Sequence, residues 1–165
     1  MSHARYLDTS LTGSDLREFT FNLMNKPLFL PDILRDIRRV MEVASATFDV
    51  SCQPYALVDN SGKLGGVFYI SDVVPEHEGV LYCWAWNRGV ITPTTLRFVK
   101  EYIDSVAEEF MLCRVVARTP DKKLCRLLRA LGLKEEGRFK MGYRSGGRSH
   151  TLFQLRKLYG GRRIG

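Results

Sequence analysis

The residues from Asn87 to Thr94 are the stretch of this 165-residue chain best suited to chemistry. They follow an apolar, aromatic run from Gly79 to Trp86, whose length and composition predict a strand covered on both faces. They lead into a helix with Thr92 as its N-cap and Pro93 at the first helical position, where a missing N–H costs nothing. A strand entering a helix through a short turn leaves uncapped N–H groups at the helix start, and these favour a phosphate. Asn87 to Thr94 therefore either holds a pyrophosphate or is a plain, well-capped connection, and the local sequence admits both.

The four cysteines argue against a structural metal. Cys52, Cys83, Cys113 and Cys125 form no C-x-x-C pair and have no His cluster beside them, so they read as small buried hydrophobes. Charge is divided sharply along the chain. Residues 1–110 hold 10 Lys+Arg against 15 Asp+Glu, and residues 111–165 hold 15 against 3. A basic half of this kind suits a polyanionic cofactor, an acidic protein or nucleic acid, or is simply a solvated basic surface. Nucleic acid is the least favoured, because the chain has no zinc finger and no RNP-type aromatic pair. The first residues lack the apolar core of a signal peptide, and no apolar run approaches the ~20 residues that span a bilayer. A cytoplasmic protein without a membrane partner is expected.

The elements that must position the turn follow from periodicity. The expected organisation is a single domain, 1–165, with 158–165 as a frayed basic tail. A short strand from Ala4 to Asp8 precedes two helices, one from Ser14 or Asp15 to about Asn25 and one from near Pro31 to Ala44. Strands at Tyr55–Val58, Leu64–Val74 and from Gly79 form a meander, and Gly65-Gly66 marks a bulge. Leu96, Val99, Ile103, Val106 and Phe110 form the apolar stripe of the helix after the turn. A strand at Met111–Arg118 follows, with Leu112, Val115 and Val116 buried. The next helix has Asp121 as cap or first turn. Leu124, Leu127, Leu128 and Leu131 are its buried stripe, Lys122, Lys123, Arg126 and Arg129 face water, and Gly132 is a left-handed terminator. Strands at about Leu133–Tyr143 and Ser149–Lys157 close the chain as a hairpin through Ser145, Gly146 and Gly147.

This order of elements, together with the spacing from Asp121 through Leu128 and Gly132 to Gly137, resembles the GCN5-related N-acetyltransferase (GNAT) superfamily and its pattern N-x-x-A-x-x-x-Y-x-x-x-G-F-x-x-x-G. The resemblance implies an α+β fold, a mixed and mostly antiparallel seven-stranded sheet with about four helices. It implies acetyl-CoA, or another acyl-CoA, as co-substrate and no metal. The pantetheine amides would meet the backbone of Trp84, Ala85, Trp86 and Asn87 in a gap between the fourth and fifth strands. Arg88, Gly89, Val90, Ile91, Thr92 and Thr94 would surround the pyrophosphate, with Asp121 at the position of the family's Asn.

Two departures bear on activity. Beyond Arg88-Gly89, β-branched residues stand where the family's loop has glycine, and Leu128 occupies the position of the family's acidic Tyr. That acid is the most dispensable part, because a thiolate is already a tolerable leaving group; Tyr82, Tyr102 and Tyr143 are its candidate substitutes, and Asp72, Glu76, His77 and Glu78 are the groups near the fourth strand that would serve as base. Tyr82, Glu78 and Tyr143 are the catalytic candidates. Two functions follow from the resemblance. The first is acetyl-CoA-dependent N-acetyl transfer to an amine: a protein N-terminus, a lysine, or a polyamine-like acceptor. The second is a catalytically degenerate binding or assembly protein on the same fold, partnered for example by phage virion or head-assembly proteins. The enzyme reading requires the two strands to part ahead of Thr92.

Overall fold

Among the described residues, apolar positions recurring at three- and four-residue steps build two helices, and the alternating segments around them build the sheet. The computed structural model describes residues 3–6, 55–59, 61, 64–85 and 87–160. The helices expected between residues 14 and 44, Trp86, and the tail from 161 to 165 lie outside the described residues. In chain order the elements are β1 (His3–Tyr6), β2 (Tyr55–Val58), β3 (Leu64–Val74), β4 (Glu78–Ala85), α1 (Pro93–Glu109), β5 (Arg114–Thr119), α2 (Lys122–Ala130), β6 (Lys134–Ser145) and β7 (Arg148–Leu158). One sheet of seven strands holds them in the order β1-β2-β3-β4-β5-β7-β6. Only β4 and β5 run parallel; every other neighbouring pair is antiparallel.

Boundaries differ from expectation at several ends. The first strand is His3–Tyr6 rather than 4–8, because its register against β2 runs from His3 opposite Val58 to Tyr6 opposite Tyr55. β5 begins at Arg114 because Met111, at φ 52°, ends the α1 segment in the left-handed region. β7 runs to Leu158, and the Tyr159 N–H donates to the Cys113 carbonyl, so the chain stays tied to the sheet past the point where fraying was expected. The expected bulge at Gly65-Gly66 is present: Leu57 pairs with Gly66 and Val58 with Leu64, leaving Gly65 as the extra residue.

Both helices cover one face of the sheet. Val99, Ile103, Val106 and Ala107 of α1 and Leu124, Cys125 and Leu128 of α2 join Phe68, Ile70, Leu81, Val115, Ala117 and Leu155 in one core cluster. β4 alternates between buried Gly79, Leu81 and Cys83 on that side and half-buried Glu78, Val80, Tyr82 and Trp84 on the other. A strand covered equally on both faces is therefore not what forms. Gly132, at φ 96°, ends α2, and the Leu133 N–H closes back onto the Leu128 carbonyl at 3.0 Å. Leu133 is fully buried as a result. No helix among the described residues is long and apolar enough to cross a membrane.

Leu128 is 1% exposed within this cluster. Truncation to Ala removes its packing and leaves a cavity, so Leu128→Ala should destabilise the domain by about 2–5 kcal/mol in urea unfolding. A loss below about 1 kcal/mol would contradict the burial.

Candidate functional site

β4 and β5 are hydrogen-bonded neighbours over a short length only. Their register covers Glu78 with Arg114, Gly79 with Val115 and Val80 with Val116, and stops there. β4 continues to Ala85 fully paired with β3, and β5 continues to Thr119 fully paired with β7. The β4–β5 register therefore does not extend to residues 81–85. The closed end of the pair is held by the His77 carbonyl, which accepts from Cys113 N–H at 2.8 Å and Arg114 N–H at 3.2 Å.

The turn beyond β4 is wound tightly. Arg88–Val90 form a single 3₁₀ turn capped by Asn87, whose side-chain oxygen accepts from Gly89 N–H at 2.9 Å while its Nδ2 donates to Asp59 at 3.0 Å. Val90 N–H donates to the Asn87 carbonyl, Ile91 N–H to that of Arg88 and Thr92 N–H to that of Val90. Thr92 Oγ1 then accepts from Thr95 N–H at 3.2 Å. Pro93 contributes no N–H. The expected row of bare amides is therefore largely absent: Thr94 retains the free donor of the first turn of α1. The turn is seated on β3, where a Cβ on Gly65 would stand 2.5 Å from Val90 Cγ1 and 2.7 Å from Asn87 Cβ. Val90 is fully buried there, so its side chain belongs to the core.

What the amides do not offer, side chains do. A cleft of about 180 Å³ opens beside the gap, lined by Ala85, Asn87, Arg88 and Ile91 from the β4–α1 connection and by Lys123, Leu124, Arg126 and Leu127 from α2. Apolar Ala85, Ile91, Leu124 and Leu127 form walls, and Arg88, Lys123 and Arg126 bring three cations. Such a lining suits a slender ligand with apolar and amide character at one end and phosphates at the other. Lys123 and Arg126 were expected only to face water, and their charge and helical spacing gave no sign of the cleft. Asp121 acts as the α2 N-cap, accepting from Lys123 N–H at 2.8 Å while its own N–H donates to Thr119 Oγ1. It does not line the cleft. Gly89 and Thr94 are exposed.

The catalytic candidates are dispersed on the sheet face away from the helices. Tyr82 stands two residues past the last β4–β5 pair, where the gap begins, and its hydroxyl donates to Asp72 Oδ2 at 2.5 Å. Its ring stacks on its cross-strand partner Tyr69, with centroids 4.9 Å apart. Asp72 itself sits in the left-handed region, at φ 51°, inside the irregularity where β3 pairing skips from Ser71 to Val74. Sequence alone did not join Asp72 to Tyr82, because that bulge sets the contact. Glu78 lies at the zipped end of the pair, bound to Arg114 Nε at 2.7 Å. Tyr143 stands on β6 opposite His150, with β5 and β7 between it and β4. The structure does not bring these three together. Tyr102 is buried and accepts the Ile70 N–H at 3.0 Å.

Cys83 and Glu135 are two of the titrating groups that the fold perturbs. Burial pushes the Cys83 thiol up to about 12, which makes it inert as a nucleophile. Glu135 is held below the usual carboxylate range, first by its hydrogen bond from Arg138 and further by Arg129.

No family model matches the chain, and no curated protein matches it in sequence. Solved structures do match it. The ribosomal-protein-S5-alanine acetyltransferase of Vibrio fischeri superposes with a TM-score of 0.64 at 17% identity, covering 99% of this chain and 96% of that one. A spermidine N-acetyltransferase of Vibrio cholerae superposes with a TM-score of 0.57 at 13% identity, covering 95% and 93%. A GNAT-family acetyltransferase of Bacillus anthracis superposes at 0.51 and 16% identity over 64% of this chain and 65% of that one. Likeness at these identities establishes the fold, and the chain has the GNAT acetyltransferase fold.

Two outcomes test the site's construction. Gly65→Ala should cost about 1–3 kcal/mol in urea unfolding, and adding Val90→Ala should recover part of that loss; strict additivity would contradict the contact. For Glu135, a carboxyl whose folded value is depressed stabilises the fold above the ordinary 4.5 and loses that contribution as pH falls through its lowered value. The stability difference between wild type and Glu135→Gln should therefore be full at neutral pH, begin to shrink as pH falls past about 4.5, and vanish only below the lowered folded value. A difference unchanged down to acid pH would remove the ion pair as its cause.

Proposed function

We propose that this chain is an N-acyltransferase that uses acyl-CoA, with acetyl-CoA as the donor, and an amine as the acceptor. The observation that supports this best is the early end of the β4–β5 pairing beside a cleft of apolar walls and three cations. The donor supplies an acyl thioester. In this reading the backbone of the last β4 residues, Trp84 and Ala85, binds the pantetheine amides, while Asn87, whose N–H donates to the Gly65 carbonyl and whose carbonyl accepts from Val90, only borders the cleft. Leu124, Leu127 and Ile91 shield the arm from water. Arg88, Lys123 and Arg126 bind the phosphates, with the Thr94 N–H as an added donor. Guanidinium and ammonium groups replace the glycine-rich cradle, since amides already bonded within the turn cannot serve a second acceptor.

Tyr82 is assigned to proton transfer. Its backbone stands where the gap begins, and its hydroxyl is already engaged with the exposed Asp72 carboxylate. The attacking amine forms the new C–N bond as the C–S bond breaks, and its proton passes through the Tyr82 hydroxyl to Asp72. The thiolate departs without an acid, which fits Leu128 buried in the core at the position where α2 would otherwise present one. Positioning of the two reactants carries most of the rate enhancement in such a site.

Acetyl-CoA at 100 times its Kd should stabilise the fold by about 2.7 kcal/mol in thermal unfolding. Replacing Arg88 and Lys123 together by Gln should raise that Kd at least about tenfold, or about 1.4 kcal/mol. Tyr82→Phe should instead lower kcat about 10²-fold or more with little change in donor affinity. The absence of any acetyl-CoA shift at millimolar concentration would overturn the proposal.

A further inference from the structure

The other flank of α2 carries a second basic recess, outside the cleft just described. It has a volume of about 240 Å³ and is lined by Lys122, Cys125, Arg126 and Arg129 of α2, Arg138 of β6 and Phe153 of β7. Its cations are held in a fixed arrangement. Glu135 accepts from Arg129 Nη2 at 2.9 Å and from Arg138 Nε, and so fixes two guanidinium groups side by side. The Arg138 guanidinium also lies over the Phe153 ring, 5.3 Å from its centroid, so its flat face is occupied while outward N–H groups remain. Lys122 and Arg126 make no ion pair with any described residue. Four cations thus stand around a concave surface with an aromatic wall, against two carboxylates, those of Glu135 and of Asp121 at the α2 N-cap.

Like charges gathered in this way repel, and the repulsion is relieved by a ligand that carries more than one negative charge. Planar guanidinium forks fit phosphoryl oxygens in particular. We propose that this recess binds a ligand bearing two or more phosphoryl groups, as a site separate from the acyl-donor cleft. The assignment does not rest on acyl transfer: it needs only the recess and its charges. Arg126 lines both cavities. Phosphoryl binding on one flank of α2 therefore draws on a cation that also serves the other flank, and the two sites are coupled.

The probe is sodium tripolyphosphate, with binding followed by calorimetry on the full chain at low and moderate salt. Wild type should bind it, and affinity should fall as salt rises. Lys122→Gln with Arg129→Gln should weaken binding about tenfold or more, while Arg88→Gln, which alters only the acyl-donor cleft, should leave it within about twofold. If the double variant proves unstable by circular dichroism, Lys122→Gln alone, at an exposed first-turn position, should still lower the affinity. A short single-stranded oligonucleotide losing the same factor in the double variant would assign the phosphates to a nucleic-acid backbone. An oligonucleotide that binds no better than tripolyphosphate would assign them to a small ligand. No tripolyphosphate binding at millimolar concentration, or binding abolished by Arg88→Gln and untouched by the double variant, would overturn the proposal.

Discussion

The candidate acyl-donor cleft depends on where β4 and β5 stop pairing. Each is committed along its length to its other neighbour: β4 to β3 as far as Ala85, β5 to β7 as far as Thr119. Twist in the sheet rotates neighbouring strands relative to one another, and two strands anchored on opposite sides separate once nothing holds them together. What holds them is concentrated at one end. Val115 and Val116 are fully buried there, and the His77 carbonyl ties two amides of the entering β5 strand. The Glu78–Arg114 bridge sits at the same end with both side chains about one-third exposed, where such a pair adds at most about 1 kcal/mol. Burial of the valines therefore does most of the closing.

The turn after β4 shows how one requirement displaces another. A glycine-rich connection would keep its amides free for an anion, whereas here Val90 drives into the core over Gly65 and the turn winds tight around Asn87. That seating gives packing and a rigid entry into α1, with its donors spent on internal bonds. The chemistry of the lining compensates by charge, through Arg88 beside the turn and Lys123 and Arg126 across the cleft. Charge on flexible stems needs no close backbone approach, which is what β-branched residues prevent.

α2 is the element where most of these demands meet. Its inner stripe of Leu124, Cys125 and Leu128 is core, and its two outer flanks border separate cavities. The strongly basic composition beyond residue 110 is thus not spread as a neutral solvated coat; several of its charges converge on concave surfaces. Glu135, one of the few acids in that half, is used to hold two arginines in register.

Local pattern by itself determined the helices at 93–109 and 122–130, their caps at Thr92 and Asp121, the terminator at Gly132, the meander, the bulge at Gly65 and the final hairpin. Each of these is decided within a few residues by periodicity, capping or a positive φ, and so is written in adjacent positions. Spacing alone also located the turn at Asn87–Thr94. Only tertiary structure decided that this turn would consume its own amides, since that follows from Val90 meeting Gly65 across strands. The same holds for Lys123 and Arg126 facing the cleft, for Asp72 reaching Tyr82 through a bulge, and for the separation of Glu78 and Tyr143 from the gap. Those outcomes depend on strand order and register, and contacts between residues far apart in the chain leave no periodic trace in it.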